Sequence, residues 1–387
     1  MFKKRSGYLL DTLQQVDWPL LLLSVAATGF GILMIASATR YMHTSHYVMV
    51  QAIAAAIGVV AYFAVSQIDL DTLSRKKWTW LVLLGFNIGF ILLLLTPFGV
   101  AGSTGNRAWL EFPFLPFNIQ PAEVVKLTYI VLLSYQLVWL KERQGNLKSI
   151  LAVAFLVAHL GVLLGIYYFI SDDMGSCLVF AFIFLCMTFM AGLAARWYIL
   201  GTLGAAAVFY ILWNEDKIPV YMMNRFKVLF DHSFDAMETG WHQTRSLMTL
   251  GGGKLTGMGL FHGTQTQSEY SWSLPNRHTD FIFSVVGEEL GMIGCAVVLA
   301  LLAAIVVRCL VITKNAKTPM DSYICVGVAG MLIFQIIANV GMCLFVMPVI
   351  GLTLPFFSYG GSSIVTLFIA MGMVSGVQKR SLPEWLR

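Results

Sequence analysis

The chain has 387 residues, of which 58% are hydrophobic and only 12% are charged, and its mean hydropathy is +0.76. A soluble domain is about 25% charged, so this composition excludes a soluble globular protein and predicts a polytopic membrane protein. The net charge of +5 is small and gives no reason to expect a nucleic-acid partner. Six cysteines without a C-x-x-C pair indicate neither a disulfide framework nor a zinc site.

Ten apolar runs are long enough to cross a bilayer. They cover residues 20–37, 47–66, 78–95, 122–140, 150–170, 174–194, 197–213, 281–307, 323–345 and 355–377. We therefore predict an all-α polytopic membrane protein with ten transmembrane helices in one integral membrane domain. Its parts are helices 1–7 within 18–213, a large extracellular loop at 214–279, helices 8–10 within 280–377 and a cytoplasmic tail at 378–387. The loop is rich in aromatic residues, so we expect short amphipathic or re-entrant helices in it.

The Lys and Arg residues are distributed unevenly between alternate loops. With the N-terminus in the cytoplasm, the short outside loops hold only Arg40 and Arg107. The residues on the inside are Lys3, Lys4, Arg5, Arg75, Lys76, Lys77, Lys141, Arg143, Lys148, Arg196, Arg308, Lys314, Lys317, Lys379, Arg380 and Arg387. Under the positive-inside rule this asymmetry predicts that both termini are cytoplasmic.

Asp280 lies where the long polar loop ends and the eighth apolar segment begins. In a helix that starts there, Glu288 and Glu289 would lie on the order of 12 Å into the hydrocarbon. Charged groups at that depth are costly and usually face a protein interior or a water-filled cavity. Asp280 itself permits two compatible interpretations, a cap for the eighth helix and a carboxylate held ready to accept a proton.

Three further features belong to the same group of candidate residues. Glu123 and Lys126 are three residues apart on the fourth span and can pair, either as a structural ion pair or as part of a site. Residues 354–363 open the tenth span with Pro355 and paired glycines, which break helical hydrogen bonding either as an ordinary kink or beside a cavity. Asn339 and Gln335, four residues apart in the ninth span, are expected to hydrogen-bond between helices.

Five stretches together resemble the SEDS proteins (shape, elongation, division, sporulation), the RodA/FtsW group. They are GNRAWL, QPAEVVK, DDMGS, LPNRHTDFIFSVVGEELG and QIIANVGMCLFVMPVIGLTLPFFSYGGSS. The likeness extends from the first span to the tenth, and the last two blocks at this spacing are specific to the family. Departures are mild: Asn276 stands where Glu is usual, Asn106 where Ala is, Ala122 where Ser is, and DMGS replaces DLGT. The short basic N-terminus favours the RodA-like members.

The resemblance implies a peptidoglycan glycosyltransferase in the bacterial cytoplasmic membrane. Such enzymes polymerise lipid II, an undecaprenyl-pyrophosphate-linked disaccharide-pentapeptide, on the outer face of that membrane. They work with a class B penicillin-binding protein that crosslinks the strands, and a divalent cation, Mg or Mn, is implied as cofactor. The family's catalytic Asp matches Asp280, and its functional Glu and Lys in the fourth span match Glu123 and Lys126.

The chemistry of that reaction assigns expected roles to the candidate residues. Joining an α-linked pyrophosphate sugar to an acceptor 4-hydroxyl in β linkage inverts the anomeric carbon, which needs one base and cationic help for the departing pyrophosphate. We expect Asp280 to be the base, and Arg107 and Lys126 to hold the phosphates. Further predicted substrate-binding residues are Trp109, Glu123, Asp173, His278, Glu288, Glu289 and Ser358, of which Glu123, Asp173 and the Glu288/Glu289 pair would orient these cations or the metal.

Two other functions are compatible with the same residues. A lipid II flippase or secondary transporter would also use broken helices and charges within the membrane, but no inverted repeat is apparent and the charges gather on one side. A flippase would move lipid II across liposomes without lengthening glycan. A non-catalytic scaffold for the penicillin-binding protein would tolerate changes at Asp280 and Lys126.

Overall fold

The computed structural model describes residues 16–74, 76, 78–102, 106–145, 147–215, 217, 220–231, 240–270 and 272–381. Parts of the predicted topology lie outside these ranges. They are the basic residues Lys3, Lys4, Arg5, Arg75, Lys77 and Arg387, the predicted tail from 382 onward, and residues 216, 218–219, 232–239 and 271 of the predicted large loop.

The described chain is built almost entirely of helices. They are α1 (Trp18–Ala38), α2 (His46–Ser66), α3 (Leu70–Ser74), α4 (Thr79–Leu92), α5 (Pro121–Gln144), α6 (Ile150–Ser171), α7 (Met174–Met190), α8 (Ala195–Asn214), α9 (Val220–Phe230), α10 (Trp241–Gly252), α11 (Ile282–Asn315), α12 (Pro319–Cys343) and α13 (Gly361–Ser381). Two short strands, β1 (Gly99–Val100) and β2 (Trp109–Leu110), pair antiparallel.

Local signals set several helix ends. The Asp17 carboxylate accepts a hydrogen bond from the N–H of Leu20 and so caps α1. Pro121 begins α5, where its missing N–H costs nothing. Gly145 ends the same helix with a φ of 70°, a left-handed conformation that glycine adopts without a side-chain penalty.

Within the described residues, eight helices are long and apolar enough to cross a membrane: α1, α2, α5, α6, α8, α11, α12 and α13. The third and sixth predicted spans correspond to shorter apolar helices, Thr79–Leu95 and Met174–Met190. The predicted helical multi-pass membrane architecture is therefore confirmed, whereas the count of ten spans and the single-domain boundaries stay predictions. The predicted loop at 214–279 contains helices, as expected, namely α9 and α10.

Helix α11 is interrupted at Gly291, where the backbone has a φ of 66° and a ψ of −165°. The N–H groups of Met292 and Ile293 therefore lose the carbonyls four residues earlier that an unbroken helix would offer them. They donate instead to the carbonyl oxygens of Lys254 and Leu255, at 3.0 and 3.2 Å. The chain just after α10 thus takes the place of a helical turn.

The same segment also satisfies the carbonyl groups on the other side of the break. The carbonyl oxygens of Glu288 and Glu289 accept hydrogen bonds from the N–H groups of Met258 and Gly259, each at 2.9 Å. Four hydrogen bonds therefore join residues 254–259 to α11 across its break. Residues 254–270, which follow α10 and which we call the re-entrant chain, therefore pack against the first half of α11.

Gly253 lies so close to the backbone of α11 that a side chain there should destabilise the protein. A Cβ built on Gly253 would lie 1.8 Å from the carbonyl oxygen of Gly287. The Gly253→Ala variant should therefore lose roughly 1–3 kcal/mol of stability through overpacking, measured by thermal unfolding of the purified protein in detergent. Gly251→Ala is the matched control, because a Cβ there meets nothing within 4 Å. Equal melting temperatures for the two variants would contradict the insertion of this segment into α11.

Candidate functional site

Asp280 lies in a turn that precedes α11 and not in the helix itself. The N–H groups of Thr279 and Phe281 both donate to the carbonyl oxygen of Asn276, at 3.1 and 3.2 Å. Because of this turn the helix begins at Ile282, and its N-cap position falls on Phe281 without a side-chain cap. The interpretation of Asp280 as the cap of this helix is therefore wrong, and its carboxyl group is not engaged in capping.

Three consecutive carbonyl groups of the turn are each hydrogen-bonded to another part of the chain. The donors are Tyr359 N to His278 O at 2.9 Å, Ser358 Oγ to Thr279 O at 2.6 Å, and Asn339 Nδ2 to Asp280 O at 2.8 Å. The second N–H of Asn339 donates to Leu352 O at 2.7 Å, so Asn339 joins its helix to a turn and a loop and not to another helix, which corrects the expected contact between helices. The backbone that carries Asp280 is fixed from two sides.

The irregular loop before the tenth predicted span holds the Asp280 turn on one side, through Ser358 and Tyr359. Helix α13 begins at Gly361, later than the predicted start at 355, because residues 351–360 form an irregular loop. Ser358 Oγ accepts a hydrogen bond from Leu354 N at 2.8 Å while it donates to the Asp280 turn. Gln51 on α2 holds the loop through Ser358 O at 3.1 Å. Ser358 is therefore a backbone support, and its contact with substrate stays a prediction.

The environment of Asp280 raises the affinity of its carboxyl group for a proton. Burial is the main cause and raises the pKa of Asp280 to about 6, with the negative charge of Asp173 adding to the effect and a hydrogen bond from Thr279 opposing it. The side chain is half-buried. A carboxylate with a pKa in this range is a stronger base than an ordinary aspartate and is still ionised at neutral pH.

His278 lies two residues before Asp280 among aromatic rings. Its ring centroid is 4.9 Å from that of Tyr47 and 5.9 Å from that of Tyr359. Burial, helped by the charge of Arg277, lowers the pKa of His278 to about 4, so the imidazole is neutral at pH 7. Its Nδ1 is buried without a hydrogen-bond partner among the described residues. That free nitrogen supports the prediction of a substrate contact, which remains to be tested.

Asp173 caps α7 and is saturated with protein donors. Its carboxylate accepts from Ser176 N at 3.0 Å and Ser176 Oγ at 2.7 Å. It also accepts from the Tyr167 hydroxyl at 2.9 Å and from Gln120 Nε2 at 3.1 Å. The structure therefore brings Asp173 within electrostatic reach of Asp280 but gives it a structural role as well.

Glu123 and Lys126 form the predicted ion pair on α5. Lys126 Nζ lies 2.7 Å from Glu123 Oε1, and both side chains are buried. The other Glu123 oxygen lies 3.5 Å from the Thr366 hydroxyl on α13. The pairing is confirmed, and a role in substrate binding stays a prediction.

Arg107 and Trp109 lie at the β1–β2 hairpin. The exposed Arg107 side chain donates from Nε to Gly99 O at 3.2 Å and from a terminal nitrogen to Thr96 O at 3.0 Å. The half-buried Trp109 pairs with Val100 in the hairpin. Both residues brace this loop, and their predicted contacts with substrate are untested.

Glu288 and Glu289 are buried, and protein donors engage their carboxylates. Glu288 accepts from Gln265 N at 2.7 Å and from the N–H and hydroxyl of Thr266 at 2.8 and 2.6 Å. Glu289 accepts from the Ser37 hydroxyl at 2.7 Å and from Gln267 Nε2 at 2.9 Å. Both charges thus hold the re-entrant chain against α11, and their binding of substrate stays a prediction.

The described residues form no ready-made metal cage. No three His, Cys, Asp or Glu side chains converge among them. Asp173, whose charge acts on Asp280, already accepts four hydrogen bonds from protein donors. The donor set therefore does not fit a resident divalent cation.

A bundle of apolar helices with a carboxyl group of raised pKa just before the N-terminus of one helix defines an integral membrane protein with a candidate catalytic site. Residues 18–382 match the FtsW, RodA and SpoVE family of cell cycle proteins. The chain therefore belongs to this family, the SEDS proteins.

Similar proteins support the same assignment over the whole chain. The probable peptidoglycan glycosyltransferase FtsW of Geobacter metallireducens is 32% identical over 96% of each chain. Stage V sporulation protein E of Bacillus subtilis is 30% identical over 94% of this chain and 97% of its own length. Because the similar proteins include FtsW, SpoVE and RodA members, the RodA-like assignment stays a prediction.

Two solved structures share the fold. One chain, from a peptidoglycan synthase complex that coordinates polymerization and crosslinking, superposes with a TM-score of 0.80 at 26% identity and covers 95% of this chain and 99% of its own. The rod shape determining protein RodA of Thermus thermophilus gives a TM-score of 0.68 at 25% identity and covers 95% of this chain and 98% of its own.

The buried Glu123–Lys126 pair can be tested by a double-mutant cycle. Lys126→Met should cost roughly 3–5 kcal/mol of stability, because it leaves the Glu123 charge buried without its partner. Glu123→Gln combined with Lys126→Met should recover most of that loss, measured by thermal unfolding in detergent. Glu123→Gln alone completes the cycle. If the stability lost by the double variant equals the sum of the losses of the two single variants, the two side chains do not stabilise each other. Catalysis by the stable double variant at the wild-type rate would remove Lys126 from the substrate-binding residues.

Proposed function

We propose that the chain is a peptidoglycan glycosyltransferase that polymerises lipid II into glycan strands, with Asp280 as the general base. The observation that carries the proposal is the half-buried Asp280 carboxyl, whose pKa is raised to about 6 and whose backbone is fixed on a rigid turn. The relatives named as probable peptidoglycan glycosyltransferases support the reaction class.

The reaction is a single displacement with inversion. The 4-hydroxyl oxygen of the acceptor sugar forms a bond to the anomeric carbon of the donor, and the bond from that carbon to the pyrophosphate oxygen breaks. The hydroxyl proton passes to Asp280, and undecaprenyl pyrophosphate leaves with the bonding electron pair. A base with a pKa near 6 combines substantial proton affinity with full availability at neutral pH.

The departing pyrophosphate needs positive charge near it. Lys126 is the candidate within the bundle, although its charge is shared with Glu123 at 2.7 Å. Arg107 on the hairpin is the exposed candidate, and it would keep its two backbone contacts while it meets a phosphate. The implied Mg or Mn ion stays a prediction, and the donor pyrophosphate would have to supply most of its ligands, as is usual for Mg²⁺.

A crevice between two helices could bind the lipid chain of the substrate, and a similar solved structure suggests the partner protein. A crevice of about 260 Å³ lies between α6 and α7, lined by Leu164, Gly165, Tyr168, Met174 and Cys177. Its apolar walls adjoin Asp173 and would accept part of the polyprenyl chain. A class B penicillin-binding protein is the proposed partner, because a structurally similar chain comes from a complex that couples polymerization to crosslinking.

Replacement of Asp280 tests the base directly. Asp280→Asn should fold normally and lose polymerisation of purified lipid II by a factor of at least about 100, the scale of general-base catalysis. The wild-type rate should fall as the pH drops through about 6, the pKa of Asp280, because the protonated carboxyl cannot accept the hydroxyl proton. An unchanged rate in Asp280→Asn would exclude the base assignment. Transport of lipid II by the wild type without glycan synthesis would support the flippase instead.

The orientation in the bacterial cytoplasmic membrane is a second part of the proposal. The basic residues predict cytoplasmic termini and place the Asp280 end of the bundle at the outer face. In a cysteine-free chain, a membrane-impermeant maleimide should label Glu269→Cys in intact cells but not Asn315→Cys, since both side chains are exposed and Glu269 precedes α11 whereas Asn315 is its last residue. Labelling of Asn315→Cys alone would invert the topology and place Asp280 on the wrong side for lipid II polymerisation.

A further inference from the structure

Glu288 and Arg277 are two buried, oppositely charged side chains that contact the same stretch of re-entrant chain. Glu288 accepts hydrogen bonds from the backbone N–H groups of Gln265 and Thr266 at 2.7 and 2.8 Å. Arg277, only 1% exposed, donates to the carbonyl oxygens of the same two residues. The residues between the two charges are therefore held on both sides.

The guanidinium group of Arg277 has further contacts that fix its place. It donates to Ser268 O at 3.0 Å and to Tyr270 O at 3.2 Å, and its central carbon lies 3.8 Å from the centroid of the Tyr41 ring. A guanidinium with several backbone acceptors and an aromatic face is well satisfied without a direct carboxylate contact. Arg277 therefore anchors the chain three residues before Asp280.

The peptide groups of 265 and 266 connect the two charges electrostatically. Each of these residues presents its N–H to the carboxylate and its C=O to the guanidinium. Hydrogen bonds arranged in such a chain polarise one another, and the low dielectric of a protein interior strengthens them. Glu288 and Arg277 thus stabilise each other through the backbone rather than by direct contact.

We propose that Glu288 is a positioning residue for Asp280, acting through residues 265–266 and Arg277. These parts form a closed ring. Arg277 is connected to Asp280 by the backbone of the turn, and the turn continues into α11. Glu288 on α11 accepts hydrogen bonds from residues 265–266, which in turn accept hydrogen bonds from Arg277. Loss of the Glu288 charge removes its electrostatic stabilisation of the buried Arg277 and weakens the hold on residues 265–266, so the turn is less firmly supported on one side. This inference rests on the proposed glycosyltransferase function and assigns Glu288 no contact with the substrate.

The test compares Glu288→Gln with Asp321→Asn in the full-length protein. The control is matched, because Asp321 on α12 is also a buried carboxylate, only 2% exposed, but it pairs with Arg380 at 2.6 Å rather than with the 265–266 backbone. Glu288→Gln should lower kcat for lipid II polymerisation roughly ten- to hundredfold, the scale of a small misplacement of a catalytic group. KM should change by less than about twofold, because substrate binding is not involved. The rates are normalised to the fraction of folded protein.

A second measurement does not depend on activity. Hydrogen–deuterium exchange of the peptide covering 276–281 should be faster in Glu288→Gln than in the wild type or Asp321→Asn. Combination of Glu288→Gln with Arg277→Met should cost no more than the worse single variant, because both break the same ring. Equal kcat and equal exchange in Glu288→Gln and Asp321→Asn would overturn the positioning role. Faster exchange in Glu288→Gln together with an inactive wild type would retain the ring and reject the proposed function instead.

Discussion

The fold depends on a helix, long and apolar enough to cross a membrane, that is broken at Gly291 and completed by another part of the chain. In hydrocarbon, an unpaired backbone N–H or C=O group costs several kcal/mol. The break at Gly291 releases two donors and two acceptors, and residues 254–259 supply two acceptors and two donors in return. This part of the re-entrant chain is thus required by α11, and α11 determines where it lies.

This exchange has a direct consequence for the site. Because residues 254–259 are fixed at the break, the chain that follows them is held near the entrance of α11, where Glu288 and Arg277 engage it. The Asp280 turn is then supported in three ways. Arg277 joins it to the re-entrant chain, and Asn339 on α12 and Ser358 before α13 donate hydrogen bonds to its carbonyl groups. A carboxyl group carried by such a turn has its position set before substrate arrives, which is the arrangement that lowers an activation barrier most effectively.

Much of this could be predicted from the sequence, but not the contacts around the glutamates. Hydropathy located the helices, since each predicted span contains one, and motif resemblance located Asp280. The high cost of charge at membrane depth correctly indicated that Glu288 and Glu289 are buried. It did not indicate their partners, because a Gly-rich polar segment has the composition of a surface loop, and only the break at Gly291 gives it a place inside the bundle. Arg277 was missed because it is a single basic residue within a loop.

The charge balance around Asp280 follows from the same packing. Burial raises the proton affinity of the Asp280 carboxyl group, and a nearby negative charge raises it further, so the two effects together favour the protonated form. The negative charge of Asp173 raises the pKa of Asp280 further, whereas the hydrogen bond from Thr279 lowers it. With a pKa near 6, Asp280 is ionised by about ten to one at pH 7. In the proposed mechanism the hydrogen bond from Thr279 and the fixed turn therefore act together, since the first helps to keep Asp280 ionised and the second keeps it in place.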